Sequence, residues 1–334
     1  MTNLSTSPVL ASRIQTATSL VGDIGGTHTR LCMVADNQLV ARTAASFKNA
    51  DYARFEDVLT TYLARYPVAE LGAAVLAVAA PVLSDRIGMT NIDWQIDAAE
   101  IAAAAGFTSV RLINDFQALA LSLRHLAPRQ YAAIDGGGAG DPAGVKLVLG
   151  AGTGFGASLS ILSPDTGRAF TVATESGHVT FLAENEEELA LLAFLSQREE
   201  RPEVESVLSG RGLIALHHFF AQRRGQPQIA ASSHRIAEDA IAGTDPIAVE
   251  AAHFFLRVLG RTVGDLALAF NATGGVYVSG GAARALAPLF ETSGFRRYFE
   301  AKGIRSAFMR SIPTYLIADD FAALSGCLER LQQD

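Results

Sequence analysis

At 334 residues the chain exceeds one core of ordinary size, and about 150 residues per domain gives roughly two domains, with a cleft expected between them. Apolar residues make up 49% and charged residues 18%, the balance of a folded globular protein and not of a disordered one. A formal charge of −7 without any Lys/Arg cluster excludes the basic footprint of a DNA- or RNA-binding protein.

Residues 1–18 lack a basic segment followed by an apolar core, so they read as a flexible tail of a cytoplasmic protein. Next comes LVGDIGGTHTRLCMV (20–34), an apolar strand that enters a Gly/Thr turn and resumes as a strand. Glycines there can take positive φ and bring backbone N–H groups close to an anion, and Thr hydroxyls add donors. A helix is expected over 52–66 and a buried strand over 72–80. The apolar run 71–83 around that strand contains Gly72 and Pro81 and is shorter than the roughly 18 residues of a membrane span. DAAEIAAAAG (97–106) carries a capping Asp, helix formers and a terminal Gly. VRLIND (110–115) is a short strand ending in two polar side chains.

DGGGAGDPAG (135–144) reads as a flexible turn between units. The second unit opens with LVLGAGTGFGASLSI (147–161), a second strand, Gly/Thr turn and strand. One such hairpin is weak evidence, since ordinary hairpins share the pattern. Two make a duplicated phosphate clasp, with a nucleoside triphosphate as the natural guest. Helices are expected over 186–197, 214–222 and 246–269, a strand over 274–281, then PTYLIADD as a strand and FAALSGCLERLQ as the last helix. Strands alternating with helices predict an α/β protein.

Asn114 and Asp115 emerge from the C-terminal end of a strand, where open α/β sheets hold ligands. Asp115 reads either as a base or as the cap of a helix starting at Phe116. ESGHVTF (175–181) places Glu175 and His178 three apart, either as a solvated turn or as one acceptor and one group that can donate or accept, which suits a row of hydroxyls. Glu205 alone reads as an exposed helix residue. Gly280 and Gly281 follow a strand and open a helix, so backbone there can approach a flat or anionic group. GxGxxG and GxxxxGK[ST] are both missing, which excludes a Rossmann dehydrogenase and a P-loop NTPase. His217 and His218 are adjacent, without metal-ligand spacing. The acidic run 184–188 reads as a solvated helix start that complements the dipole. Cys32 and Cys327, at opposite ends of the chain, read as buried thiols in a reducing compartment.

In order, GDIGGTHTR, MTNIDW, LINDF, GAGTGFG, ESGH, ESVLSG and YVSGG resemble the bacterial glucokinase family of the hexokinase, Hsp70 and actin superfamily. The likeness spans about 20–320, and its specificity lies in seven motifs in the family's order. It implies a two-domain actin-like ATPase (ribonuclease H-like) fold with a cleft. The small α/β domain would span 19–128, joined by 315–334, and the larger would span 129–314. ATP would lie between the two hairpins with the sugar beside them, and the C-terminal helix would pack back on the first domain.

Residue by residue, Asp115 matches the family's catalytic base, and Asn114, Glu175, His178 and Glu205 match its sugar ligands. Asp23 matches the acidic residue near the metal and phosphates. Gly25, Gly26 and Thr27, and Gly152, Thr153 and Gly154, match the phosphate turns; Gly280 and Gly281 match the site beside the adenosine. The resemblance implies ATP with Mg²⁺, a hexose substrate, no structural zinc and a homodimer. His28 stands where Asn is usual after GGT. Ser176 stands where Gly is usual, and its hydroxymethyl would narrow the sugar pocket or add a donor. The rival readings are a kinase for another hexose (mannose, fructose or an amino sugar), a non-catalytic sugar sensor, and an ATPase machine. The sensor would usually bring a helix-turn-helix, and the ATPase needs no Asn114, Asp115, Glu175 and His178 set.

Overall fold

The computed structural model describes residues 18–89, 92–134, 136–228 and 231–333. The tail expected over 1–18 lies outside the described residues except for Thr18, and so do Thr90 and Asn91 of MTNIDW. The chain parts into two units at Ile113 and Asn114, with the last residues from Arg330 counted with the first. This division falls earlier than the 128/129 passage expected from the sequence. Its cause is the helix Asp115–Ser122, whose Leu119 and Ala120, with Leu123 just after it, share a core with Val148 and Tyr277 of the second sheet. Most of the C-terminal segment stays in the second unit for similar reasons. The strand Thr314–Ile317 pairs there with Gly275–Ser279, and Gly326 lies against Ala118.

In the N-terminal unit the sheet order is Gln38–Leu39, His28–Ala35, Thr18–Ile24, Leu71–Val78, Ser109–Asn114, and Ala45–Lys48 also pairs with His28–Ala35. Thr18–Ile24 runs antiparallel to His28–Ala35 and parallel to Leu71–Val78. The helix Phe55–Arg65 buries Phe55, Val58, Leu59 and Tyr62, a stripe at helical spacing that joins Leu20, Leu31 and Leu76 in the core. Ala98–Ala105 is bounded as its sequence predicts. The Asp97 carboxylate accepts from the N–H groups of Ala99 and Glu100 at 3.0 and 3.1 Å, and Gly106 closes the helix at φ 81°.

In the C-terminal unit the order is Ala169–Thr174, Phe155–Leu162, Lys146–Ala151, Gly275–Ser279, Thr314–Ile317, Tyr131–Ile134. Strand alternation divides its two faces. Leu147, Leu149, Val276 and Val278 enter the large core that holds Phe220, Phe254, Phe255 and Leu259, while Val148 and Tyr277 meet Leu119 and Ala322 on the other face. The core helix Pro246–Ala269 starts with Pro246 in its first turn, and the Asp245 side chain accepts from Ile247 N–H at 2.8 Å. Each sheet thus has a strand antiparallel to its hairpin mate on one side and parallel to a later strand on the other, the repeat expected from the two hairpins.

The acidic run is not wholly a solvated face. Glu188 is buried, accepts from the N–H of Glu184 at 2.8 Å, and pairs at 2.5 Å with the buried guanidinium of Arg261. A charge so far from water is held only because its partner and its hydrogen bonds are in place. Cys32 and Cys327 are both buried as thiols. No helix among the described residues is long and apolar enough to cross a membrane.

Candidate active site

In the N-terminal unit the turn between Thr18–Ile24 and His28–Ala35 is closed by a 3.0 Å bond from Gly25 N–H to the His28 carbonyl. Asn49, buried to 1% exposure and not singled out in the sequence, holds this turn from below. Its amide donates to Gly25 O at 2.8 Å, its carbonyl accepts from Thr29 Oγ1 at 2.9 Å, and its N–H donates to Thr27 O at 2.9 Å. Asp23 faces Arg30 across the hairpin, with carboxylate and guanidinium 3.4 Å apart. His28 takes part through its main chain.

The corresponding glycines of the second hairpin act differently from the sequence expectation. None of Gly25, Gly152 and Gly154 has positive φ. Gly150, Gly154 and Gly156 of the second hairpin are required by close approach instead. A Cβ on Gly154 would lie 2.4 Å from Glu205 Oε2, and one on Gly156 would lie 2.2 Å from the ring of Phe116. Gly150 also faces that ring, at 2.8 Å. Gly150 and Gly156 are therefore a floor on which Phe116 rests. Gly152 N–H bonds to Gly154 O at 2.8 Å, and Gly152 O accepts from Gly210 N–H at 2.7 Å. The turn Gly152–Thr153–Gly154 lies beside Gly280 and Gly281, since a Cβ on Gly152 would sit 3.5 Å from Gly281 N. At Gly280 positive φ is real, at 96°, and a side chain would strike the Ala151 carbonyl at 2.3 Å.

Asn114, not Asp115, is the helix cap. Its backbone is extended (φ −68°, ψ 145°), and its side-chain oxygen accepts from Phe116 N–H at 3.0 Å and Gln117 N–H at 3.2 Å. Asp115 is the first helical residue, with the cap before it and the seated Phe116 after it. Its Oδ1 accepts from Phe116 N–H at 2.9 Å and from Asn114 Nδ2 at 3.0 Å. The carboxylate is thus oriented by its own helix terminus, where the dipole favours the anion.

Glu175, His178 and Glu205 come together at the same hairpin. Gly177 approaches the Phe155 carbonyl so closely that a Cβ would lie 2.1 Å from it, and Phe155 N–H donates to Glu205 Oε2 at 2.7 Å. The other Glu205 oxygen accepts from Arg211 at 2.9 Å, so this residue is half-buried and doubly held, unlike the exposed helix residue its sequence suggests. His178 Nδ1 stands 2.7 Å from Glu203, a carboxylate the sequence reading passed over. The hydrogen bond to Glu203 is the main cause that raises the His178 pKa above its ordinary 6.5, and Glu205 and Glu175 add to it. A raised histidine contributes stability below its unfolded pKa and loses it as pH rises through the folded one.

The Ser176 hydroxyl is engaged by its own segment. Its side chain is buried, and its Oγ lies 2.7 Å from Thr174 Oγ1, which itself donates to the Ala157 carbonyl at 3.1 Å. With the Thr174 proton committed to Ala157, the Ser176 proton goes to Thr174.

A sequence profile of the family described as Glucokinase matches residues 20–334. The glucokinase of Hahella chejuensis is 36% identical over 314 residues, covering 94% of this chain and 97% of that protein. The glucokinase of Caulobacter sp. strain K31 is 38% identical over 322 residues, covering 94% and 95%. Among solved structures, a glucokinase from an Antarctic psychrotroph matches with a TM-score of 0.78 at 28% identity, over 96% of this chain and 100% of that chain.

Proposed function

The chain belongs to the glucokinase family and has the actin-like ATPase fold, and on that premise we propose how its residues transfer the γ-phosphoryl group of ATP to a hexose, D-glucose at its 6-hydroxyl. Asp115 accepts the proton of the attacking hydroxyl. Asn114, Glu175, His178 and Glu205 bind the remaining hydroxyls. The Gly152, Thr153 and Gly154 turn and the Gly280 and Gly281 backbone take the nucleotide. In the N-terminal unit, Asp23 and the Gly25, Gly26 and Thr27 turn handle phosphate oxygens. The observation that carries this reading is the seating of Asp115. Its carboxylate is fixed by Asn114 Nδ2 and Phe116 N–H, and Phe116 rests on the hairpin that also bears the Gly152 turn and contacts Glu205.

Phosphoryl transfer needs little covalent chemistry from a protein, so these residues act by positioning and by neutralising charge. Mg²⁺ enters with ATP as part of the substrate. Such an ion is bound by one or two carboxylates together with phosphates, and Asp23 supplies the right kind of oxygen. Among the described residues no group of three or more His, Cys, Asp or Glu side chains could hold a metal by itself. A cytoplasmic homodimer without nucleic-acid or membrane partners completes the proposal, and sedimentation at micromolar concentration checks its assembly.

Glu205→Gln keeps an acceptor for Phe155 N–H but removes the charge. It is expected to raise the hexose KM by roughly 10-fold or more, the scale of a hydrogen bond to a charged group. Steady-state kinetics at saturating ATP measures this. The reading as a whole is tested by ADP release with Mg·ATP and glucose, mannose, fructose, glucosamine or N-acetylglucosamine. Glucose is expected to give the fastest turnover. A preference for another hexose would keep the chemistry and change the substrate, whereas sugar-independent turnover would remove the kinase reading.

A further inference from the structure

The five residues assigned to the hexose leave out the carboxylate that touches one of them. Glu203 immediately precedes the short helix Val204–Val207 that carries Glu205, and its side chain reaches His178 Nδ1 at 2.7 Å. Its own backbone is fixed, since Glu203 N–H donates to Ser206 Oγ at 2.9 Å, and the next residue ties back to the His178 segment through Val204 N–H to Val179 O at 3.0 Å. The His178 segment is anchored on its other side by the passage of Gly177 over the Phe155 carbonyl. Both partners of the His178 and Glu203 pair thus stand on braced backbone.

We propose that Glu203 is a positioning residue of the hexose subsite: by engaging Nδ1 it fixes the ring of His178, leaves Nε2 to meet a sugar hydroxyl, and keeps that nitrogen protonated as a donor. The inference rests on the reading of His178 as a hexose contact.

The chemistry explains why such a partner is useful. A sugar hydroxyl both donates and accepts, and the carboxylates Glu175 and Glu205 can only accept. A donor on the side of Glu175 and Glu205 lets the subsite meet a hydroxyl's lone pairs as well as its proton. Neutral histidine with its single proton on Nδ1, toward Glu203, would present Nε2 as a further acceptor. Charged histidine presents Nε2–H. The groups that set this balance are Glu203 at hydrogen-bond distance and the charges of Glu205 and Glu175. Arg211 is paired to Glu205, and Arg201 is bound to Thr180 Oγ1 two residues beyond His178. The strand Phe155–Leu162 beneath the turn carries no ionisable side chain. Three carboxylates thus act on one imidazole, all in the direction that retains the proton.

The experiment compares wild type with Glu203→Gln and Glu203→Asp in two readouts. One is the ¹⁵N and ¹H titration of the His178 ring by NMR, which requires no activity. The other is the pH profile of the glucose KM at saturating Mg·ATP. For wild type, the KM is expected to rise as pH passes through the His178 transition. In Glu203→Gln both inflections should move down together toward the ordinary histidine value. Between the two inflections the variant's KM should be up by roughly tenfold, one hydrogen bond's worth, with kcat little changed and the two proteins alike near pH 6. Glu203→Asp, which keeps the charge, should recover part of the shift. In a His178→Gln background, Glu203→Gln should have no further effect on KM.

A ring titration that ignores Glu203→Gln would overturn the proposal. So would a ring that follows the substitution while the KM profile stays in place. If no hexose were phosphorylated while the ring still followed Glu203, the kinase reading would fail and the positioning role would fall with it, even though the pair itself is real.

Discussion

Asp115→Asn is expected to lower kcat by at least ~100-fold, the lower end of what general base catalysis usually supplies, while the KM values for hexose and ATP move much less. The substitution is well suited to isolating the proton transfer. Asn matches Asp in shape, and its carbonyl oxygen can take over the bonds from Phe116 N–H and Asn114 Nδ2 that Asp115 Oδ1 now accepts. The helix terminus is capped by Asn114, so the fold does not depend on the Asp115 charge. Steady-state kinetics with glucose and Mg·ATP, alongside a thermal melt to show an intact fold, reads the effect. Near-normal turnover would remove Asp115 from the mechanism.

Gly326→Ala is expected to destabilise the protein by about 3 kcal/mol, the upper end of ordinary overpacking. Gly326 lies inside the last helix, Ala322–Gln332, where intrinsic helix propensity would favour Ala. Propensity loses here because the new Cβ would fall 1.6 Å from the Ala118 carbonyl oxygen and 2.6 Å from its carbon. Neither atom can swing aside as a side chain could, so the last helix and Asp115–Ser122 must part before a methyl group fits. Urea denaturation followed by circular dichroism measures the loss. A variant as stable as wild type, or more so, would contradict this packing. Activity should fall less than stability in the molecules that remain folded, because the hairpin under Phe116 is not touched by Gly326.

Local signals were legible wherever the determinant was local. Asp97 and Gly106 bracket a helix because a carboxylate and a left-handed glycine do that work within one turn of chain. Asp245 and Pro246 do the same for the long core helix, whose sequence bounds match the structure. The α/β alternation and the two hairpins also came through. What escaped depends on neighbours distant in sequence. Asn49 lies 24 residues from the Gly25 carbonyl it supports, and nothing in FKNAD marks it. The glycines of GAGTGFG suggested an unusual backbone, yet Gly150, Gly154 and Gly156 are glycine because Phe116 and Glu205 occupy the space of their side chains. Glu188 read as solvated, since a run of acids does not reveal that Arg261 waits for one of them.

The residues proposed for catalysis were found by motif, and their relations were not. Asn114 and Asp115 were distinguishable only once the extended backbone at Asn114 identified the cap. Glu203 resembles any acid before a short helix until His178 is seen beside it. Ser176, a conspicuous departure in the motif, turned out to be absorbed by Thr174.

Phe116 sits on Gly150 and Gly156, while Glu205 is tied to Phe155 and the Gly152 turn belongs to the same pair of strands. For thermal motion this makes the hairpin a common mount. A tremor of the sheet carries Asp115, Glu205 and the Gly152 turn along together, and their mutual distances survive it as the spacing of instruments survives the movement of a shared bench. The displacement that would spoil alignment is a differential one, a rocking of the Phe116 ring on its two-glycine floor, and a floor without side chains leaves that ring flush with the strands beneath it.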